Sequence, residues 1–172
     1  EVKSNTGLSA KLARPLDWMV ITDHSDGMGT INEILGGSAD MMADPVVKGW
    51  SEALNSGDPH RIHTAVMQLI DMQSSGKLPA IVMDPKWMVS AWEKTITIAD
   101  KYDQPGTFTA MIGYEWTVNV GGGDNLHRNV IYRDGKDKAD RVLPYTTFQS
   151  ENPEDLWKWM TEWERTTGGK LL

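Results

Sequence analysis

The sequence contains no cysteine among its 172 residues. Disulfide bonds, thiolate metal sites and cysteine nucleophiles are therefore excluded within it, and the choice between a cytoplasmic and a periplasmic compartment stays open. No apolar run approaches the length of a bilayer crossing, so we predict no membrane span in this segment. The G-x-S-x-G, H-E-x-x-H and dinucleotide-binding motifs are also missing, so serine hydrolysis and hydride transfer have no support.

Basic residues are outnumbered, with 17 Lys and Arg against 24 Asp and Glu, a net charge of −7 and a pI near 5.0. This balance argues against general affinity for nucleic acid or an anionic membrane, so we predict no nucleic-acid partner. A phosphorylated small molecule is compatible with it, because a bound metal can reverse the local sign of the charge. The composition, 40% apolar and 24% charged, is ordinary for a globular protein, and we predict a single domain over residues 1–172.

Asx-Pro dipeptides mark the predicted helix starts. The Asp or Asn side chain at the N-cap accepts a free backbone N–H of the first turn, and the proline that follows has a φ suited to a helix. Apolar residues then recur at helical spacing after three of these dipeptides. The sequence therefore predicts helices that begin after Asp58-Pro59, Asp84-Pro85 and Asn152-Pro153. Residues 30–56 contain a fourth such dipeptide and are expected to be helical in parts.

Three β-prone segments lie between and before these helices, at residues 16–22, 108–116 and 129–132. The first two are almost continuously apolar, which suits a sheet that is buried on both faces. Strands alternating with helices predict an α/β fold. Residues 170–172 (Lys-Leu-Leu), which follow two glycines, are expected to begin another strand.

Ionisable side chains stand at the ends of these strands. Asp23 and His24 directly follow the first, Glu115 lies near the end of the second, and His127 precedes the third. Ligands bind at the carboxyl edge of an α/β sheet, and imidazole and carboxylate suit a borderline divalent metal. Together these residues predict a metal site that can acidify a bound water and polarise a phosphoryl or carbonyl oxygen.

Each of these residues also has an ordinary structural explanation. Asp23 could cap the next segment and leave His24 exposed in a turn. Glu115 could sit at the exposed end of its strand, paired with Arg128. Alternatively, Arg128 could be a fixed cation that contacts a phosphate or carboxylate.

Two further features receive no chemical role. His60 and His63 are three residues apart on a predicted helix, but no acidic residue lies in register with them, so we expect them on the surface. Gly121 to Gly123 lack the following lysine and Ser or Thr of a phosphate-binding loop. We expect these glycines to form a connecting loop.

Four blocks of sequence and the tripeptide at residues 22–24, Thr-Asp-His, carry a resemblance to a known family. The tripeptide looks like the second motif of the PHP (polymerase and histidinol phosphatase) superfamily, whose members are metal-dependent phosphoesterases on a distorted α/β barrel. More closely, residues 5–172 resemble a bacterial family within it called domain of unknown function 3604. The blocks are ARPLDWMVITDH (13–24), PGTFTAMIGYEWT (105–117), NLHRNVIYRDG (125–135) and NPEDLW (152–157).

The resemblance implies a fold and a set of roles. The fold would be part of a PHP-like, distorted TIM-type (β/α) barrel. His24, Glu115 and His127 would be metal ligands, and Asp23 would be a catalytic or bridging carboxylate beside them. The metals would be divalent ions of zinc, manganese or iron. The residues implied to face the substrate are Arg128, Asn125 and Asn129, of which the first would neutralise the charge on the departing group.

Two histidine motifs of the superfamily are absent, the opening H-x-H and a later one expected beyond Leu172. We therefore expect the chain to be an internal fragment, with a barrel that is incomplete at both ends and a metal site that binds weakly or not at all unaided. Open sheet edges tend to pair between copies, so we expect a homodimer or a larger assembly.

Three functions compete on this sequence. The first is a phosphoesterase-like hydrolase, belonging to the parent protein, in which metal-activated water attacks a small phosphorylated substrate. An amidohydrolase-like enzyme would use the same metals on a different bond. A non-catalytic module on the same scaffold would instead bind a sugar or an aromatic ligand in a groove lined by tryptophans. Loss of His24 and Glu115 would leave ligand binding intact only in that third case.

Overall fold

The computed structural model describes residues 2–4, 6–120 and 124–172, without the side chains of residues 119, 120, 124 and 125. The loop predicted at Gly121 to Gly123 lies outside these residues. The strands are β1 (Val2–Lys3), β2 (Ser9–Ala10), β3 (Trp18–Val20), β4 (Thr109–Val120) and β5 (Asp124–Tyr132). The α-helices are α1 (Thr30–Gly36), α2 (Ala39–Met42), α3 (Pro45–Leu54), α4 (Pro59–Ser74), α5 (Pro85–Tyr102), α6 (Lys136–Ala139) and α7 (Pro153–Thr167), with a short 3-10 helix at Ala80–Met83.

The longer helices begin at the Asx-Pro dipeptides, as the sequence predicts. The Asp58 carboxylate accepts the N–H of His60 at 2.9 Å, and Asn152 Oδ1 accepts the N–H of Glu154 at 3.0 Å. Asp44 and Asp84 cap α3 and α5 in the same way, each with proline in the first turn. The three predicted helix starts are confirmed, and the fourth dipeptide starts a helix too.

Two small open sheets accompany the helices, and among the described residues neither closes into a barrel. In the larger sheet β4 lies between β3, which runs parallel to it, and β5, which runs antiparallel. The mixed α/β class is therefore confirmed in its coarse form. All three predicted strands are present, although β3 is shorter than expected and β4 and β5 are longer.

Strand β3 differs from the prediction of a strand buried on both faces. Trp18 is 58% exposed and Met19 is 41% exposed. In the part of the chain that the structure describes, β3 pairs only with β4, so one edge and much of each face remain uncovered. An apolar run predicts a strand, but the burial of that strand depends on neighbours that the run does not specify.

The expected strand at residues 170–172 pairs with the far side of β5. Leu172 and Ile131 exchange two backbone hydrogen bonds, at 2.8 and 2.9 Å, and Leu171 lies opposite Tyr132. The short C-terminal segment therefore extends the sheet by one antiparallel pairing.

Two separate hydrophobic cores hold the elements together. The first lies between the sheet and α5, α6 and α7, and it is rich in aromatic rings. Tyr132 packs edge-to-face on Trp163 with centroids 5.1 Å apart, and Trp92 lies 5.5 Å from Tyr132. The second core lies within the helices before residue 83, around Trp50 and Met41. Among the described residues, no helix is both long and apolar enough to cross a membrane.

Candidate metal centre

The three residues predicted as metal ligands lie together in the folded chain. His24 Nδ1 lies 3.1 Å from Glu115 Oε2, and His127 Nδ1 lies 3.2 Å from the same oxygen. One donor atom from each residue lies within 4.8 Å of the other two. The imidazole rings are 5.9 Å apart between centroids, at an interplanar angle of 53°. The fold therefore brings His24 next to two residues that follow it by about 90 and about 100 positions in the sequence.

The pairing of the strands explains this convergence. Successive side chains of a strand alternate between faces, so Glu115 and Thr117 lie on the face of β4 opposite to buried Trp116. His127 is directly opposite Thr117 in the antiparallel pair of β4 and β5. His24 continues the line of β3 beyond its end and pairs with Glu115 in parallel. All three side chains consequently share one face of the sheet.

Backbone hydrogen bonds hold the His24 segment against β4. Glu115 donates its N–H to the carbonyl oxygen of Asp23 at 2.8 Å, and Ser25 donates its N–H to the carbonyl oxygen of Glu115 at 2.8 Å. These two bonds enclose His24, so its Cα position is fixed by the main chain on both sides.

The hydroxyl of Thr117 lies at the middle of the group, a position that the sequence did not predict. It donates to Glu115 Oε2 at 3.0 Å and lies 2.8 Å from His24 Nδ1 and 3.2 Å from His127 Nδ1. A hydroxyl has one proton and two lone pairs, so it can donate to the carboxylate and accept from both imidazoles. Thr117 therefore orients all three side chains while the two Nδ1 atoms carry their protons, and it orients Glu115 in either case. The sequence did contain one indication of this position. Side chains alternate between the faces of a strand, so Thr117, two residues after Glu115, is expected on the same face of β4.

The donor set fits a divalent metal. Bonds of about 2.1 Å from one ion place neighbouring ligand atoms roughly 3.0–3.4 Å apart in octahedral or tetrahedral geometry. The two measured separations from Glu115 Oε2 lie in that range. Two imidazole nitrogens and one carboxylate oxygen are ligands that zinc, manganese and iron accept. Three protein ligands also leave coordination positions open for water or substrate.

The site is partly open to solvent. The side chain of Glu115 is 19% exposed, while those of His24 and His127 are 59% and 46% exposed. The carboxylate therefore lies at the base of the group and the imidazoles lie toward solvent. A ligand can approach from the imidazole side without displacement of the backbone.

Asp26 adds a carboxylate next to the group, and no role was predicted for it from the sequence. Its Oδ1 accepts hydrogen bonds from the N–H and the hydroxyl of Thr147, at 2.9 and 2.6 Å. Its Oδ2 is buried and has no hydrogen-bond partner. Burial raises the pKa of the Asp26 carboxyl above its usual value, and the bonds from Thr147 oppose that rise. Asp26 lies two residues after His24 in the sequence, but its contact with Thr147, 121 residues away, could not be predicted from it.

A cleft of about 890 Å³ lies beside the ligand group. One wall carries the candidate site itself, with Asp23, His24, Asp26, Thr117 and His127. Residues of α4 and α5 form much of the remaining lining. Clefts of about 300–1,000 Å³ are typical of small-molecule sites.

The other predicted site residues are placed differently. Asp23 is exposed and lines the cleft. Arg128 donates from Nη1 to the carbonyl oxygen of His127 at 2.8 Å, and it alternates to the opposite face of β5 from the imidazole. Asn129 is exposed and lies opposite Glu115 in the sheet. The side chain of Asn125 lies outside the described residues. Contact of Arg128, Asn125 and Asn129 with a substrate stays a prediction.

Two alternatives from the sequence can be compared with these contacts. The partners of Glu115 are the two histidines and Thr117, so the alternative in which Glu115 pairs with Arg128 is not the arrangement found. His60 and His63 are exposed, as predicted.

The comparisons with known proteins give a family but no function. No curated protein and no solved structure matches the chain. One family model does match, over residues 1–172, and its description is "Protein of unknown function (DUF3604)". A match over the whole sequence shows membership, so this chain belongs to the DUF3604 family.

Proposed function

We propose that this chain carries the metal centre of a PHP-type, metal-dependent phosphoesterase. One observation supports the proposal above all others. Two imidazole nitrogens approach the same carboxylate oxygen, at 3.1 and 3.2 Å, on the wall of a cleft large enough for a small molecule. The same separations suit N–H···O hydrogen bonds, so the group is already assembled before any ion binds.

The proposal assigns a separate role to each residue of the site. His24, Glu115 and His127 hold a divalent ion, which supplies a Lewis acid that polarises a phosphoryl oxygen and makes water more acidic. Thr117 keeps the Glu115 carboxylate oriented by donating its hydroxyl proton to Oε2. We assign Asp23 as the acceptor of the proton from water, because its exposed carboxylate lines the same cleft.

Metal titration tests the proposal. Isothermal titration calorimetry with Mn²⁺ and Zn²⁺ on the whole chain is expected to show weak but saturable binding, because the chain supplies three ligands without the two further histidine motifs of the superfamily. Glu115→Gln and His127→Ala should each remove that binding, because each leaves only two ligands. His63→Ala is the matched control, since His63 is an exposed histidine on α4, away from the group. Equal loss in the control, or no saturable binding by the unaltered chain, contradicts the proposed metal centre.

Hydrolysis assays test the type of reaction. The metal-loaded chain is offered 4-nitrophenyl phosphate and, separately, the anilide 4-nitroacetanilide. Metal-dependent release of 4-nitrophenol that Glu115→Gln abolishes supports a phosphoesterase. Release of 4-nitroaniline alone would assign an amidohydrolase-like reaction instead. Metal binding with neither release would contradict catalysis by this chain and leave a binding module.

A further inference from the structure

We propose that the cleft takes phosphate esters whose organic group is apolar and at least as large as an aromatic ring. This inference rests on the proposed function for its phosphate end, and it names the class of substrate for that site. The inference is based on the residues that line the other walls of the cleft, away from the candidate metal centre. Those walls are built by two helices, the loop that leads into α1, and the segment around Phe148.

Helix α5 presents one continuous face to the cleft. Ala91, Lys94, Thr95 and Ile98 line it, at the spacing i, i+3, i+4 and i+7 of a single helical stripe. Helix α4 contributes Met67, Leu69, Ile70, Gln73 and Ser74. The cleft is therefore a groove beside two helices with the ligand group on another wall, rather than a pocket around the metal alone.

Large apolar side chains in this groove are left partly open. Ile98, Ile70 and Met67 are 48%, 39% and 49% exposed, and all three line the cleft. Ile31 and Phe148 line it as well, at 44% and 43% exposed. Apolar surface gathered in a concave site is usually covered by a ligand, because burying it from water is favourable. A phosphate alone could not cover it, since the groove is far wider than the anion.

The groove also carries a cation for an anionic substrate. Lys94 is the one Lys or Arg among the described residues that line the cleft. The remaining charged groups of the lining are Asp23 and Asp26, which are acidic. In a chain of net charge −7, a lysine on the wall of this groove favours an anionic group there. Together the apolar side chains and the lysine favour an ester that carries both an anionic group and an apolar group.

Binding of two non-hydrolysable phosphonates tests the inference independently of catalysis. Methylphosphonate and 2-phenylethylphosphonate are titrated into the whole chain by calorimetry, with and without Mn²⁺. The phenylethyl compound is expected to bind at least about tenfold more tightly in both conditions, because the apolar wall does not depend on the metal. Ile70→Gln and Ile98→Gln should each remove most of that preference and leave methylphosphonate binding unchanged. Lys94→Gln should weaken both compounds by a similar factor.

Two exposed residues on the same helices supply matched controls. Val66 on α4 is 40% exposed and Val89 on α5 is 47% exposed, and neither lines the cleft. Val66→Gln and Val89→Gln should keep the full preference for the phenylethyl compound. Equal affinity for the two phosphonates, or loss of preference in these controls, overturns the inference.

Two other results distinguish failure of the proposed ligand class from failure of the proposed metal centre. A preserved preference in a chain that binds no metal rejects the proposed metal centre and keeps the ligand class. In the opposite result, the chain binds metal but does not prefer 2-phenylethylphosphonate over methylphosphonate. Sedimentation also shows a dimer, which Ile70→Gln or Ile98→Gln dissociates. In that case the groove is a contact between copies, and the ligand class is rejected while the metal centre stands.

Discussion

The N–H and the hydroxyl of Thr147 both donate to a single oxygen of Asp26, at 2.9 and 2.6 Å. This pair joins the segment that follows His24 to the segment that carries Phe148. A hydrogen bond to a charged group contributes about 1.5–3 kcal/mol. Thr147 therefore fixes the position of two walls of the cleft at once.

Thr147→Val should lower the free energy of unfolding by about 1–3 kcal/mol, because it leaves the partly buried Asp26 carboxylate with one donor fewer. Urea denaturation at neutral pH measures the change. Thr64→Val, at an exposed threonine of α4 whose hydroxyl bonds only to a backbone carbonyl, is the control and should change stability by less than about 0.5 kcal/mol. Equal effects of the two substitutions would contradict a special role for the Asp26 contact.

Thr117→Val should weaken divalent metal binding by about tenfold or more, because groups that orient metal ligands contribute about 10–100-fold to affinity. The valine keeps the shape of the side chain and removes the hydroxyl that contacts His24, Glu115 and His127. Calorimetric titration with Zn²⁺ measures the change. Thr109→Val, at an exposed position in the same strand, should bind metal as the unaltered chain does. Unchanged affinity in Thr117→Val would show that the ligands are held by the backbone alone.

Gly29→Ala should destabilise the fold more than Gly57→Ala. Both glycines have a positive φ, 81° and 71°, so each alanine carries the cost of the left-handed conformation, about 1 kcal/mol. At Gly29 a Cβ would also lie 2.7 Å from the Trp87 carbonyl oxygen and 2.8 Å from Ala91 Cβ, whereas at Gly57 nothing lies within 4 Å. Thermal unfolding of the two variants measures the difference. Equal melting temperatures would mean that the loop is free to move away from α5.

The sequence predicted the helix starts and the metal ligands for different reasons. Capping by Asp58 or Asn152 is a local interaction within three residues, so the dipeptide alone determines it. The grouping of the candidate ligands was predictable only in part. His24 follows the end of β3, as expected, whereas Glu115 and His127 lie within β4 and β5 rather than at strand ends and meet because they share one face of adjacent strands. Neither required knowledge of how distant helices pack.

The cleft and the exposure of β3 could not be predicted, because both depend on packing between distant segments. Lys94 reaches the cleft only because α5 crosses near the His24 segment, where Gly29 allows close approach to Trp87. The contact of Asp26 with Thr147 joins residues 121 positions apart. Apolar periodicity identifies the face of a helix that avoids water, but it does not identify the partner of that face.

Asp134→Asn should reduce stability at neutral pH and lose that effect in acid. The carboxylate accepts from Lys138 Nζ at 2.8 Å and from the N–H of Lys170 at 2.7 Å, and it anchors the C-terminal segment to the end of β5. The lysine, followed by the backbone N–H, lowers the pKa of Asp134 in the folded state. Its contribution is therefore fully present above the unfolded pKa of about 3.9 and is lost as the pH falls through the lower folded value.

Urea denaturation of the unaltered chain and of Asp134→Asn between pH 3 and pH 7 measures this dependence. The difference between the two unfolding free energies should be constant at the neutral end and shrink toward pH 3. A difference that grows as the pH falls would reverse the sign of the linkage and contradict the assignment. Glu162→Gln is the comparison for an exposed pair. Arg165 lowers the pKa of Glu162 too, so the effect of this substitution should have the same sign and be smaller, because both side chains are exposed on the surface of α7.

The pairing of Thr117 with His127 has a consequence for how the chain reaches its native state. Because side chains alternate with a period of two, sliding β5 by one residue against β4 would turn His127 toward the aromatic core and Arg128 toward Glu115. A misaligned hairpin would thus separate His127 from His24 and Glu115 and would also lose the packing of β5 in the aromatic core. If the proposed centre binds metal, metal binding reports the correct register of β5 against β4. The ion would also stabilise the correctly paired hairpin relative to the misaligned one.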